Sequence, residues 1–493
     1  MKPPSEESPA TGSVRRRAVR GIGAMAVLQM LGAAATFLTL LALARLLTPR
    51  DFGLAALAAL VTGIVGTFGD FGLGPAVIQR TDRVDEALYT AGTLRLMIAI
   101  ALLAITVSVA PLAAVFFSAR EATDAIRVAA VLFVLNGAAF IPLTRLTKEL
   151  RFGVVLRAAA TSAVVSAVVS VSLAWLGFGY WSIIIASVVA ALVNLGAFWI
   201  QSPWELRFAL DRRLARDLIR YGKHLFLMNV FVFFIFNVDN AAIAYSLGPT
   251  MLGFYALAFK WANVPVNFLS KVAAQVMMPT YVLLKDSPDR LKKGYFETIL
   301  MVNAVSWPVY IGLFILAGDF VEIVLGPVWL PIVTPLRILC GLGILRGLTE
   351  PGGYLFLATG RSDFVSLTAG LHAASLIAFL IPGIVYGGIV GVAASVVGAY
   401  VINAILVQHL VRRSLGVGWI DVGRKVRGLL GAGSGMAILL LVLSVMLPSS
   451  LIAFLLAAAA GLILYLGLWH LLERGMLSRY VREILEGSRR STG

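Results

Sequence analysis

The chain has 493 residues, of which 59% are hydrophobic and only 13% charged, and its mean hydropathy is +0.91. So much apolar surface excludes a soluble fold built on one packed core and places the chain in a membrane. The formal charge of +16 would suit nucleic acid, but the basic residues stud short loops instead of one domain or stripe. Membrane lipids are therefore the expected partner and nucleic acid is not.

In chain order, residues 1–20 are rich in Pro and Ser and end in Arg15, Arg16, Arg17 and Arg20. They read as a disordered basic tail, because the apolar stretch that follows is too long for a signal peptide and lacks a small-residue cleavage site. Crossing the hydrocarbon takes roughly 20 apolar residues in a helix. Spans are expected at 21–46, 53–77, 89–117, 124–146, 154–176 and 179–200, which make an N-terminal lobe over 21–200. After a basic connector at 201–219 come spans at 220–247, 251–281, 295–317, 332–358, 364–385 and 388–410, a C-terminal lobe over 220–411. A last pair lies at 428–447 and 451–472, and 473–493 form a second tail. The predicted fold class is all-α: a polytopic membrane protein of about 14 transmembrane helices, two pseudo-symmetric six-helix lobes plus a C-terminal helix pair.

About 32 of the 41 Lys and Arg residues fall in the tails and in alternate gaps between the spans. Gaps on the other side hold Arg50, Arg120 and, at a helix end, Arg45. Cytoplasmic segments carry the Lys and Arg excess, so both termini are expected in the cytoplasm. The far-side gaps GFGYW, LGPTML and LPSS are short, and no soluble domain is expected there.

The two halves look duplicated. LTPRDFGLAALA from Leu47 aligns without a gap on LGPTMLGFYALA from Leu247, sharing Leu, Pro, Gly and a closing Ala-Leu-Ala. Both copies join the first two spans of their set. Transporters built by duplication place the substrate site between the halves.

Charges inside spans cost about 3 kcal/mol each on insertion scales, so they mark protein-lined or watery positions. In the eighth span Lys260, Asn263, Asn267 and Lys271 are spaced by three, four and four and share one helical face. They predict a hydrated cationic stripe, with Pro265 kinking the helix and freeing backbone groups toward the same cavity. The plainer alternative is that each Lys pairs with a carboxylate in the packing, or that Lys271 snorkels to the inner interface.

The tenth span sets Arg346 one turn from Glu350, either to neutralise one another or to serve a substrate. Pro351, Gly352 and Gly353 are expected to break that helix. Arg45 and Arg337 should lie near the outer interface and Arg95 toward the inner one. The substrate-binding candidates are thus Lys260, Lys271, Arg346, Arg95, Arg337, Arg45, Asn263 and Asn267. In the seventh span Asn229 and Asn240 are nearly eclipsed, with Asn237 and Asp239 close by. In the second span Gly63, Gly66, Gly69 and Gly72 recur every third residue around Asp70, which points to tight helix packing. Asp70, Asp239 and Glu350 are candidates for ion coupling or internal ion pairs.

Cys340 is the only cysteine, which excludes an intramolecular disulfide and a thiolate metal site. His224, His372, His409 and His470 lack ligand spacing, and no nucleophile–base arrangement or phosphate-cradling loop stands out. No catalytic residue, metal or cofactor is expected, and the chain does not read as an enzyme.

More cations than anions inside a pair of lobes suit an amphiphile with an anionic head. The strings LARLLTPRDFGLAALA, GDFGLGPAVIQRTD and LFLATGRSD resemble the oligosaccharide (Wzx-type) flippases of polysaccharide biosynthesis, within the multidrug/oligosaccharidyl-lipid/polysaccharide (MOP) exporter superfamily. With fourteen spans the resemblance covers essentially the whole chain. It implies alternating access by two lobes, moving an undecaprenyl-pyrophosphate-linked oligosaccharide from the inner to the outer leaflet of a bacterial plasma membrane. It also implies a lipid-tail groove in the last two helices, coupling to ion or potential gradients, and the glycan polymerase and glycosyltransferases as further partners. Two alternatives stay open: a drug/cation antiporter of the same superfamily, expected to rely on intramembrane acids, and a non-transporting membrane scaffold for glycan assembly.

Overall fold

The computed structural model describes residues 31–473, apart from 33, 70, 203–206 and 449 and apart from the side chains of 223–225, 227–228, 266–276 and 279. Among the described residues every regular element is helical. In order they are α1 (Ala34–Leu46), α2 (Pro49–Thr67), the short α3 (Leu73–Gln79), α4 (Val84–Phe116), α5 (Ala122–Lys148), α6 (Phe152–Trp175) and α7 (Trp181–Gln201). Then come α8 (Arg212–Leu284), α9 (Pro288–Ile315), the single turn α10 (Ala317–Asp319), α11 (Val333–Ala358), α12 (Ser362–Leu415), α13 (Trp419–Met446) and α14 (Leu451–Leu472). A π-helical turn, Phe320–Leu325, and a 3-10 turn, Pro327–Ile332, separate α10 from α11. Among the described residues eleven helices are long and apolar enough to cross a membrane.

Two of these, α8 and α12, each hold two crossings. Gly248 (φ 81°, ψ 177°) and Gly388 (φ 53°, ψ −136°) leave the helical backbone, in conformations open to glycine because it has no Cβ. Residues 16 apart in a straight helix would be about 24 Å apart. Yet the Tyr255 hydroxyl donates to Asp239 at 2.7 Å, and the Ser395 hydroxyl to the Phe379 carbonyl at 2.7 Å. The chain turns back at both glycines, which makes the span count consistent with the fourteen expected.

Three expectations need correction. The span predicted at 53–77 ends at Thr67, and Gly72 adopts a left-handed conformation (φ 63°) before the separate α3. The Gly-rich run lacks the side chains that would hold a continuous helix there. The basic connector is helical from Arg212, because the Asp211 carboxylate accepts the backbone N–H groups of Arg213 and Leu214 (2.8 and 3.2 Å) and starts α8. Leu214 and Leu218 are buried while Arg212, Arg213, Arg216 and Arg220 are exposed, so an amphipathic helix absorbs the charge run.

The third correction concerns Pro351, which does not break α11. A proline has no N–H to give the carbonyl four residues earlier, here Gly347. That carbonyl accepts Asn303 Nδ2 from α9 at 2.9 Å. Gly347 makes the approach possible, since a Cβ there would sit 2.5 Å from Asn303 Oδ1. The same repair recurs: the Ala304 carbonyl, four residues before Pro308, accepts the Tyr465 hydroxyl of α14 at 3.2 Å. The Tyr310 hydroxyl of α9 also donates to the Ala262 carbonyl of α8 at 3.0 Å, beside Pro265. Within a span, neighbouring helices supply the donors that water supplies elsewhere.

The chain divides into two compact units. Among the described residues, the first comprises those up to Leu47 with Ala58–Phe233, and the second Thr48–Leu57 with those from Phe234 onward. Within the first unit α4 packs on α5 and α6 on α7. Lys148, at the end of α5, donates to the Val77, Ile78 and Arg80 carbonyls (3.2, 3.0 and 2.5 Å), placing a cation on the C-terminus of α3. Arg83 pairs with Glu86 and, at 3.0 Å, with Asp211, tying the start of α4 to the start of α8.

The second unit holds the larger described core, where α9 and α13 meet around Tyr295, Trp307, Leu429 and Met436. It also brings the two aligned segments together. A Cβ on Gly53 would lie 1.7 Å from the Pro249 carbonyl oxygen, and one on Gly253 would lie 1.8 Å from that of Pro49. Such reciprocity is what a duplicated segment packed about a local two-fold produces. Thr48 and Asp51 cap this end of α2: Asp51 N–H donates to Thr48 Oγ1 (3.2 Å) and Thr48 N–H to Asp51 Oδ2 (3.0 Å).

Candidate functional site

Helix α11 carries Arg346 and Glu350 one turn apart. Arg346 Nε donates to Glu350 Oε1 at 2.7 Å, Nη2 lies 2.6 Å from the same oxygen in the ion pair, and Nη1 donates to Asn263 Oδ1 at 2.6 Å. Asn263 is buried on α8 and anchors itself by donating Nδ2 to the Phe259 carbonyl at 2.8 Å. Three of the expected residues are thus one hydrogen-bonded cluster on two helices of the second unit. Arg346 and Glu350 keep 14% and 19% of their side-chain surface accessible, so the pair is neither dry nor fully solvated.

Lys260 stands one turn before Asn263 and is exposed. Among the described residues no carboxylate lies within ion-pair distance of it. The expected stripe is therefore split: Lys260 has its accessible surface, whereas Asn263 is turned into the packing against α11. Asn267 and Lys271 lie in α8 with side chains outside the described residues, and Asp70 lies outside them altogether.

Several groups around Arg346 were not singled out from the sequence. Thr349 Oγ1 is 3.2 Å from the Tyr400 hydroxyl, and the His372 ring meets Tyr400 edge-on at 5.5 Å between centroids. Tyr310 and Tyr400 lie within electrostatic reach of Arg346. Asn303 had one available signal, the proline at 351 whose freed carbonyl group requires a donor.

Arg337 is exposed and donates Nε to the Phe314 carbonyl at 3.1 Å, holding the last turn of α9. Arg45 and Arg95 belong to the first unit: Arg45 is exposed, and Arg95 lies half-buried with Nη1 3.2 Å from where a Gly69 Cβ would be. Asp239 is buried in the α8 hairpin, accepting from the Tyr255 hydroxyl and the Asn240 N–H (2.7 and 2.8 Å). That geometry ties the hairpin together. Asn229, Asn237 and Asn240 are half-buried on the same segment. Among the described residues no group of His, Cys, Asp and Glu is arranged to hold a metal.

This architecture defines a polytopic membrane protein with the fold of MOP-superfamily transporters. It resembles a lipid II flippase MurJ in an inward closed conformation, with a TM-score of 0.75 and 13% identity, covering 92% of this chain and 99% of that one. It also resembles an inward-facing multidrug resistance MATE family transporter of the MOP superfamily, with a TM-score of 0.63 and 15% identity over 80% and 98% of the two chains. The family model described as polysaccharide biosynthesis protein matches residues 42–334, and the chain belongs to that family. Among its relatives is the lipopolysaccharide biosynthesis protein WzxC of Escherichia coli (strain K12), 25% identical over 411 residues, 80% of each chain. The resemblance read from the sequence is therefore the one the comparisons return.

Proposed function

We propose that this protein is a flippase that moves a polyprenyl-pyrophosphate-linked oligosaccharide, undecaprenyl in the bacterial case, across the plasma membrane by alternating access, with both termini in the cytoplasm. The single observation that carries the reading is the cationic cluster inside the spans, Arg346 held by Asn263 with Lys260 one turn away, in a member of a polysaccharide biosynthesis family. A guanidinium and an ammonium bind diphosphate oxygens by charge-assisted hydrogen bonds, and a charge held within a span is expected to serve a pathway. The fold is shared with multidrug transporters, so the fold alone does not choose the cargo. Cationic groups favour an anionic head over a cationic drug.

Lys260 and Arg346 would hold the head group, and Asn263 would aim the guanidinium. Arg95, Arg45, Lys271 and Asn267 are proposed as further stations for the head, while Arg337 has its Nε engaged at the end of α9. Asp70, Asp239 and Glu350 are the proposed coupling or ion-pair groups. The test is flipping of a fluorescent polyprenyl-pyrophosphate glycan in proteoliposomes. Lys260→Ala and Arg346→Ala are expected to lower the rate about tenfold or more, one lost charged contact being worth about 1.5–3 kcal/mol. Full activity in both variants, or export of organic cations without glycan flipping by the wild type, overturns the reading.

A further inference from the structure

The Arg346 guanidinium is already engaged before any ligand arrives. Its Nε and Nη2 form the planar edge with which arginine grips two oxygens of a phosphate, and that edge is turned to Glu350 Oε1, to which Nε donates and from which Nη2 lies 2.6 Å. Its other amino group, Nη1, is held by Asn263, which is in turn tied to the Phe259 carbonyl of its own helix. That restraint fixes the direction of the fork. The side-on edge, the one that grips two oxygens of an anion in parallel, is the edge that Glu350 occupies.

We propose that Glu350 is an intramolecular competitor for the anionic head group: it occupies Arg346 in the empty protein, a diphosphate displaces it, and its return expels the diphosphate. The inference rests on the reading of this cluster as the head-group site and adds how that site releases its cargo. Two features of α11 favour the exchange. The i, i+4 spacing lets Glu350 leave by side-chain rotation alone, with the backbone unmoved. That backbone is braced through Pro351 by Asn303 on the Gly347 carbonyl. The accessible surface of both side chains gives an anion and its displaced rival room to trade places. An arginine buried without a counter-ion would be costly when empty and would bind a diphosphate too tightly when full. A tethered carboxylate relieves both states. Among the described residues, Tyr310 of α9 and Tyr400 and His372 of α12 are the titratable neighbours from the packed helices, and Glu350 is the acid that contacts the guanidinium.

The test uses the purified full-length protein and inorganic pyrophosphate, with binding followed by calorimetry. Glu350→Gln, which keeps the shape and an oxygen acceptor but removes the charge, is expected to bind pyrophosphate about tenfold more tightly than wild type, a gain of about 1.4 kcal/mol. Adding Arg346→Ala should abolish the gain. Glu350→Asp, one methylene too short to keep both contacts, should also bind more tightly and decides the matter if Glu350→Gln fails to fold. Unchanged or weaker binding in the folded Glu350 variants, or no pyrophosphate binding in any of them, overturns the proposal. Tighter binding in a protein whose wild type flips no glycan lipid would sink the proposed cargo and leave the competitor standing. Flipping by wild type with no gain in Glu350→Gln would do the reverse.

Discussion

Replacing Asn303 by Leu should destabilise the protein through a carbonyl 44 residues away in sequence. Asn303 is fully buried, and its Nδ2 donates to the Ile299 carbonyl at 2.7 Å and to the Gly347 carbonyl at 2.9 Å. Leucine fills similar volume but donates nothing. The Ile299 carbonyl still has the N–H of residue 303 within the helix, whereas the Gly347 carbonyl has only proline at position 351. A buried carbonyl left without a donor costs about 1–3 kcal/mol. Part of that is returned, because Asn303 Oδ1 has no partner among the described residues and is removed as well. The expected net loss is about 1–2 kcal/mol.

The specific check is a double-mutant cycle with Pro351→Ala, which restores the missing N–H. In wild type that change should alter stability little. In the Asn303→Leu background it should recover most of the loss, a coupling of about 1–2 kcal/mol read from denaturant titration in mixed micelles. Coupling below about 0.5 kcal/mol would refute the assignment of Asn303 as the donor that replaces the proline N–H.

Other outcomes follow from the same geometry. Gly53→Val and Gly253→Val should each cost about 3 kcal/mol or more by overpacking, in similar measure because their contacts are reciprocal, with a melting shift as the readout. Lys148→Met should remove the donor on three carbonyl groups at the end of α3, lowering stability by about 0.3–1 kcal/mol and raising hydrogen exchange at 73–80. Asp211 has its acidity strengthened first by the Leu214 N–H, then by the Arg213 N–H and Arg83. Its folded pKa is thus below the unfolded value, so its contribution is present above about pH 4 and is lost as the pH falls further. Asp211→Asn should flatten the acid limb of stability in that window, and an unchanged limb would refute the role.

How much of this was legible beforehand depended on range. The spans followed from apolar length, and Arg346 with Glu350 followed from i, i+4 spacing, because both signals are local. Lys260 and Asn263 share a face by spacing, yet one is exposed and the other buried. Three residues on a helix differ by about 60° in direction, and the edge of the contact with α11 falls between them. Periodicity gives the direction of a side chain but not the position of the neighbouring helix. Pro351 shows the same limit: local rules predict a break, and the donor that prevents it belongs to another helix.

The duplicated segments separate scaffold from site. Of the positions the two strings share, Pro49 and Pro249 open their helices, while Gly53 and Gly253 let the backbones meet. Identity at those positions preserves a contact, which compositional bias alone does not explain. Carried on in register, the alignment sets Lys260 opposite Leu60, Asn263 opposite Gly63, Asn267 opposite Thr67 and Lys271 opposite Phe71. None of the four polar groups has a polar equivalent of its own kind, and the two lysines face Leu and Phe. Packing requires both copies of the crossing, whereas nothing in packing requires a lysine within a span, where charge is costly. The asymmetry at Lys260, set against the symmetry of the crossing beside it, therefore supports the proposal that this lysine serves a ligand, while Asn263 serves the contact with α11.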